Sequence, residues 1–345
     1  MLRLLSAGES HGAALLAILE GMPAGLKVDK GFIDQELKRR QSGYGRGPRM
    51  KIEQDRVDIL SGIARGKTIG SPIALKIDNR DSSIDKLPKV LAPRPGHADL
   101  AGALKYDFND IRFVLERASA RETAIRVAAG ALCKTFLKEF RIVVSSRLLM
   151  VGGESTESRM KQKIDEARQK QDTLGGSFEV VAQGVPVGLG SYVQSDKRLD
   201  ARLAAVVMSI PGIKAVEIGL GAESANRMGS EVHDEIFYSK SKGFYRKTNN
   251  AGGIEGGISN GEPIVVRAYM KPISSLAQPL DSVNIITRKP TKAAIQRADI
   301  CAVLAAGVIA EGAVAFVLSD AFLEKFGSDS LSQIKRSFQG YINSL

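Results

Sequence analysis

The chain has 345 residues, 43% of them hydrophobic and 25% charged, and a formal charge of +11. These proportions suit a water-soluble globular protein with a substantial core and exclude a low-complexity chain, while the positive balance favours anionic partners such as nucleic acid, acidic lipid or phosphorylated metabolites. Cys133 and Cys301 are the only cysteines and lie far apart, which excludes a disulfide framework and a cysteine zinc site and fits a reducing, cytoplasmic setting with no metal.

A short apolar strand opens the chain, without the long apolar core of a secretory signal, and leads into Gly8-Glu9-Ser10-His11-Gly12. A histidine beside glycine can approach a ligand closely, so His11 is a candidate acid or base; the alternative is a structural histidine. Ser10 and His11 do not make a hydrolase pair, because neighbours on an extended chain point apart. A short polar helix is expected from near Asp29 to Arg40, followed by Gly43-Tyr44-Gly45-Arg46-Gly47-Pro48-Arg49. Arg39, Arg40, Arg46 and Arg49 read as members of one Gly-rich basic loop. Its glycines alternate and no strand precedes them, so it is not a dinucleotide fingerprint. It is either a solvated loop or a lid whose arginines clamp phosphate or carboxylate. Residues 57–63 and 72–77 alternate as strands with one buried face, and 78–92 reads as polar loop. Arg94-Pro95-Gly96-His97-Ala98-Asp99 then presents His97 on a shaped turn, where Asp99 can orient the imidazole.

The next helix opens at residues 117–123. Ser119 and Glu122 have the spacing of a capping box, and Ile125, Ala128, Ala129, Leu132 and Phe136 form an apolar stripe. Arg117 and Arg121 bracket a helix N-terminus that is already positive, a conflict that an anionic ligand relieves; the alternative is pairing with carboxylates elsewhere. Further strands are expected over 141–150, 177–185, 215–219 and 263–269. A peripheral charged helix is expected over 158–171, and an amphipathic one over 199–209 that stops at Pro211-Gly212. His233 lies in a polar segment and reads as a surface residue. Residues 249–261 are the densest in glycine, so backbone there can touch something flat. Residues 300–318 are the most apolar; Gly307, Glu311 and Gly312 within them mark a buried core helix, ending near Phe326 at Gly327, rather than a membrane span.

In this order, Gly8-Glu9-Ser10-His11-Gly12, Gly43-Tyr44-Gly45-Arg46-Gly47, Arg94-Pro95-Gly96-His97-Ala98-Asp99, Arg117-Ala118-Ser119-Ala120-Arg121-Glu122-Thr123, Val216-Glu217-Ile218-Gly219, the glycine-rich run 251–261 and the Arg-x-Asp at 297–299 resemble the chorismate synthase family over about residues 8–327. The resemblance implies an α+β fold, a helical core sandwiched between two antiparallel β-sheets, as a single compact domain over 1–345 in a homotetramer. The absence of a repeating βαβ order agrees with this. It further implies the anti-1,4-elimination of phosphate from 5-enolpyruvylshikimate 3-phosphate to give chorismate, in the shikimate pathway of aromatic amino acid biosynthesis. The family needs reduced FMN without net redox: the flavin lends an electron, assists phosphate loss and recovers the electron.

At matching positions the resemblance implies His11 as general acid toward the departing phosphate, His97 beside the reduced flavin and Asp299 in proton traffic. It implies flavin contacts at Arg117, Ala118, Ser119, Pro211, Gly212, Gly256, Lys271, Pro272, Ile273, Ser274, Ser275 and Arg297. Arg40 and Arg46 match positions for NADP or a substrate anion, and Ser10, Arg49 and Arg121 are further substrate candidates. Some family members also reduce flavin with NADPH, and that bifunctional form stays open here. Two departures stand out: Ala298 where the family has Ser or His, and a shortened loop at 78–92. A nucleic-acid-binding reading, motivated by the charge of +11, is opposed by an aromatic content of 6% and a basic loop without interleaved aromatics. No membrane partner is expected.

Overall fold

The computed structural model describes residues 1–47, 53–241, 243–296 and 299–345. Its first sheet joins β1 (Arg3–Ala7), β2 (Ala14–Glu20), β3 (Asp58–Ile59) and β4 (Ile73–Asp78) in the order β1-β2-β4-β3. Its second joins β5 (Val143–Val151), β6 (Gly176–Gln183), β7 (Ile213–Ile218) and β8 (Ile264–Met270) in the order β5-β6-β8-β7. Every pairing in both is antiparallel. Alternation gives each sheet one apolar face. Leu15, Ala17 and Leu19 of β2 and Ile73, Leu75 and Ile77 of β4 are buried, while Leu16 and Ile18 face out. In the second sheet Phe178, Val180, Ala182, Ile264, Val266 and Ala268 turn inward.

The longer helices among the described residues are α1 (Lys30–Gln41), α2 (Asp99–Tyr106), α3 (Arg112–Arg117), α4 (Thr123–Lys138), α5 (Glu157–Gln169), α6 (Leu199–Met208), α7 (Val303–Phe326) and α8 (Leu331–Ile342). Helix α4 packs on β2 and β4, α7 packs on β5 and β6, and α4 and α7 pack on each other. The expected sandwich, helices between two antiparallel sheets, is the observed architecture. By length and composition α7 passes for a membrane-crossing helix, yet 78% of its most apolar window is buried against the rest of the chain.

Small residues set the spacing of the central helices. A Cβ placed on Gly130 would lie 2.4 Å from the Cα of Gly312. The neighbouring Glu311 is fully buried. Its carboxylate accepts from Arg39 at 2.7 and 2.8 Å, Lys134 at 2.6 Å, the Ser146 N–H at 2.9 Å and the Ser146 hydroxyl at 2.6 Å. This residue therefore ties α1, α4 and β5 to α7. Burial pushes its carboxyl pKa up, but Arg39, Lys134 and Ser146 outweigh burial and hold it below the ordinary range. Arg39 and Arg40 thus belong to the last turn of α1, not to the glycine-rich loop. Helix α8 has no counterpart in the sequence reading; it buries Leu331 and Ile334 and sets Phe338 edge-on against Phe140 and Phe326, both at 5.3 Å.

Candidate active site

A cleft of about 410 Å³ opens beside the N-terminal end of α7. Ala302, Ala305, Ala306 and Ile309 form one wall, and Leu115, Ile210 and Met270 extend it with apolar surface. Loops from distant parts of the chain supply the rest. Of the residues singled out from the sequence, Ser10, His11, Arg40, Arg46, His97, Ala118, Ser119, Arg121, Pro211, Gly212, Lys271, Pro272, Ile273, Ser274, Ser275 and Asp299 line this one cleft. Arg117 and Gly256 do not. The Arg117 guanidinium donates to the carbonyls of Gly8 and Ser6, each at 3.2 Å. Gly256 turns the small hairpin formed by Ile254–Glu255 and Ile258–Ser259, at φ +58°. Arg49, Arg297 and Ala298 lie outside the described residues. His233 stands away from the cleft beside Gly229.

Both cleft histidines are held by a buried carboxylate. His11 Nδ1 stands 2.9 Å from Glu116 Oε2, and His97 Nδ1 stands 2.5 Å from Asp99 Oδ1. Asp99 also accepts from the Arg94 Nε at 2.8 Å, and Arg94 donates onward to the Ser275 hydroxyl at 2.6 Å. Burial works against the ionised Asp99, but His97 and Arg94 hold its carboxyl well below the usual range. The His97 turn is pinned from a second side, because the Gly96 carbonyl accepts from the Ser274 hydroxyl at 2.8 Å and from the Lys271 ammonium.

Arg40, Arg46 and Arg121 make part of the cleft cationic. Arg40 is buried; its Nε donates to the Thr123 hydroxyl at 3.0 Å and its Nη2 to the Ala120 carbonyl at 2.9 Å. Arg121 donates to Asn79 at 2.9 Å and to Asp55 at 2.6 Å. Burial pushes the Arg40 guanidinium down to about 10, with Asp55 opposing and the like charges of Arg46 and Arg121 adding to the fall. Arg40 Nη1 and Arg121 Nη2 make no hydrogen bond among the described residues; they reach only Asp55 at 3.5 Å and Glu53 at 3.6 Å. Such a pair of buried, under-satisfied donors is what an anionic ligand would complete. Asp299 faces them, bound to Arg46 at 2.8 Å and to the Gly47 N–H at 2.6 Å.

The entrance of α4 differs from the expected capping box. Ser119 caps a short 3-10 turn, Ala120–Glu122, by accepting from the Arg121 N–H at 3.2 Å, and Glu122 accepts from the Ser6 hydroxyl at 2.5 Å. The tight turn carries Ala118 and Ser119 to the cleft and aims Arg121 inward. The positive charge of Arg121 is met by Asp55 at 2.6 Å and Glu53 at 3.6 Å, the pairing with distant carboxylates that the sequence left open, and Arg117 is met by main-chain carbonyls. Sequence reasoning missed Glu116, Asp55, Glu53 and Asn79. Nothing in their local sequence marks them, since each acts on an arginine or histidine distant along the chain.

Ala118, Pro211, Gly212 and Pro272 line the cleft with little side chain, the kind of surface on which a flat ring can lie. Together with Arg40, Arg46 and Arg121, these residues fit a flavin beside a phosphorylated substrate. Among the described residues no cluster of three or more His, Cys, Asp or Glu is placed to hold a metal ion.

Comparison with known proteins agrees over the whole chain. A family model described as chorismate synthase matches residues 2–323. A chorismate synthase of Thermoanaerobacter pseudethanolicus is 57% identical over 344 residues, covering 99% of this chain and 98% of the relative. A chorismate synthase of Geobacter sulfurreducens is 52% identical over 387 residues, covering 99% and 98%. A crystal structure of chorismate synthase matches with a TM-score of 0.82 at 44% identity, covering 99% of this chain and 98% of that one. The chain belongs to the chorismate synthase family.

Proposed function

We propose that this chain converts 5-enolpyruvylshikimate 3-phosphate to chorismate and phosphate in this cleft, by anti-1,4-elimination, in aromatic amino acid biosynthesis. The observation that carries the reading is the convergence of His11, His97 and Asp299 with Arg40, Arg46 and Arg121 on one cleft. The elimination breaks a C–O bond to phosphate and a ring C–H bond. Departure of phosphate builds negative charge, which calls for an acid and fixed cations. Arg40 and Arg121 bring donors to that charge, and Arg46 is shared between the substrate anion and Asp299. His11 is the general acid toward the leaving phosphate. Ala118, Ser119, Pro211, Gly212 and the loop 271–275 are the residues that hold reduced FMN, with Arg297 and, more remotely, Arg117 and Gly256 as further family positions. When bound, reduced FMN supplies the transient electron on which C–O cleavage draws, with no net redox. His97, fixed by Asp99, holds a proton at that ring, and Asp299 takes part in the proton transfer that follows C–H loss.

Ser10 and Arg49 complete the substrate candidates. The single domain over 1–345, the homotetramer and the cytoplasmic setting rest on the resemblance and composition. NADPH-driven FMN reduction by the purified protein separates a bifunctional enzyme from a monofunctional one. The residue assignment is tested by His11→Ala and His97→Ala: each is expected to lower kcat by roughly 10²–10⁴-fold, the scale of a lost general acid or base, with FMN still bound. Wild-type turnover in either variant removes that histidine from the assignment.

A further inference from the structure

Helix α3 carries a buried carboxylate that the reaction as described leaves without a role. Glu116 is 1% exposed. Its side chain accepts from the His11 backbone N–H at 2.8 Å, and His11 Nδ1 lies 2.9 and 3.0 Å from its two oxygens. Its backbone carbonyl accepts from the Ser10 N–H at 3.0 Å. One residue therefore fixes both the main chain and the ring of the His11 loop. Behind it, Arg112 stands 3.6 Å from the carboxylate and is itself anchored on the Pro88 carbonyl at 3.1 and 3.2 Å. Asp81, 46% exposed, lies on the other side of the ring, 3.9 Å from Nε2. Burial raises the Glu116 carboxyl pKa, but His11 and Arg112 outweigh it and hold it below the ordinary value. A charge kept ionised in such a place is costly unless its partners need it.

We infer that Glu116 is a positioning residue for phosphate release: it holds the Nδ1–H of His11, so that the proton leaves from Nε2. The inference deepens the reading of His11 as general acid and rests on it. In the step, the Nε2–H bond of the imidazolium breaks as an O–H bond forms on the departing phosphate. The ring becomes neutral and keeps its Nδ1 proton toward Glu116. Without the carboxylate, the neutral ring can adopt the other tautomer and turn in its pocket, as when the orienting carboxylate of a catalytic triad is lost.

Two measurements test this. The chain has only three histidines, so ¹⁵N-labelled imidazoles are readily assigned by NMR. Wild-type His11 is expected to be protonated at Nδ1, with that proton signal lost in Glu116→Gln; a wild-type His11 protonated at Nε2 alone overturns the inference without need of any variant. The second is a double-mutant cycle on turnover. Glu116→Gln is expected to lower kcat by roughly 10²–10⁴-fold, bounded by the contribution of the acid itself, with little change in KM. In a His11→Ala background the same substitution is expected to cost less than about 2-fold, because residues acting as a unit are non-additive. An equal loss in both backgrounds marks a structural glutamate and overturns the inference. Wild-type turnover by His11→Ala alone would instead sink the general-acid reading while leaving the tautomer measurement standing.

Discussion

Arg40 is buried beside two further cations, whereas Glu311 is buried among cations of opposite sign. The first arrangement favours an incoming anion; the second favours the folded chain. In the sequence Glu311 could be read only as an interruption of an apolar run. That reading excluded a membrane span but did not supply the partners Arg39, Lys134 and Ser146. Glu311→Gln is expected to destabilise the fold by about 3–5 kcal/mol, the cost of breaking a buried ion pair from one side, measured by urea denaturation at neutral pH. Its carboxyl is held below the ordinary value in the fold. Its stabilising contribution is therefore complete above the unfolded pKa of about 4.3, and is lost as pH falls through the lower folded value. The stability gap between wild type and variant should begin to shrink below about pH 4, where the unfolded chain takes up a proton that the folded one does not, and close once pH has fallen through the lower folded value; a gap that widens there contradicts the assignment. The histidines were legible because glycine and proline flank them and motif order supports them. Glu116 and Asp55 were not, because their partners stand 105 and 66 residues away in the chain.

Period-2 alternation located β4, and the apolar stripe located α4, because burial of one face leaves a direct trace in sequence. Strand β2 (Ala14–Glu20), central in the first sheet, has no counterpart in the sequence reading, and of 57–63 only the short pieces Asp58–Ile59 and Ile63–Ala64 are strand. Element ends were less legible. Helix α1 runs through Arg39 and Arg40 to Gln41, since Glu36 and Glu311 hold its last turn. The capping-box spacing at Ser119 gave way to a 3-10 turn because Ser6 competes for Glu122. At the crossing of α4 and α7, Gly130 meets Gly312 with no room for a methyl group. Gly130→Ala should force the helices apart at a cost of about 1–3 kcal/mol, read as a lower thermal midpoint. Because Thr123 on α4 and Ala305, Ala306 and Ile309 on α7 line the cleft, turnover should fall as well. An unchanged midpoint would show that the crossing has slack.

The sheet–helix–sheet arrangement was not available from periodicity, which gives faces but not the order in which strands join. In the first sheet β4 sits between β2 and β3, and in the second β8 sits between β6 and β7. Family resemblance supplied that layering, and the contacts of α4 and α7 with opposite sheets bear it out. The same topology brings the loops at residues 8–12, 94–98, 118–121, 210–212 and 271–275 to one cleft, with Asp299 from the far end of the chain. The charge of +11 is balanced at this site in part by Asp55, Glu53 and Asp299, leaving the cations poised rather than unopposed. The most direct measurement is anaerobic turnover of purified protein with reduced FMN and 5-enolpyruvylshikimate 3-phosphate, following phosphate and chorismate together. Equal amounts of both, with the flavin recovered in its reduced form, are expected; folded protein that binds FMN yet releases neither product would contradict the assigned reaction.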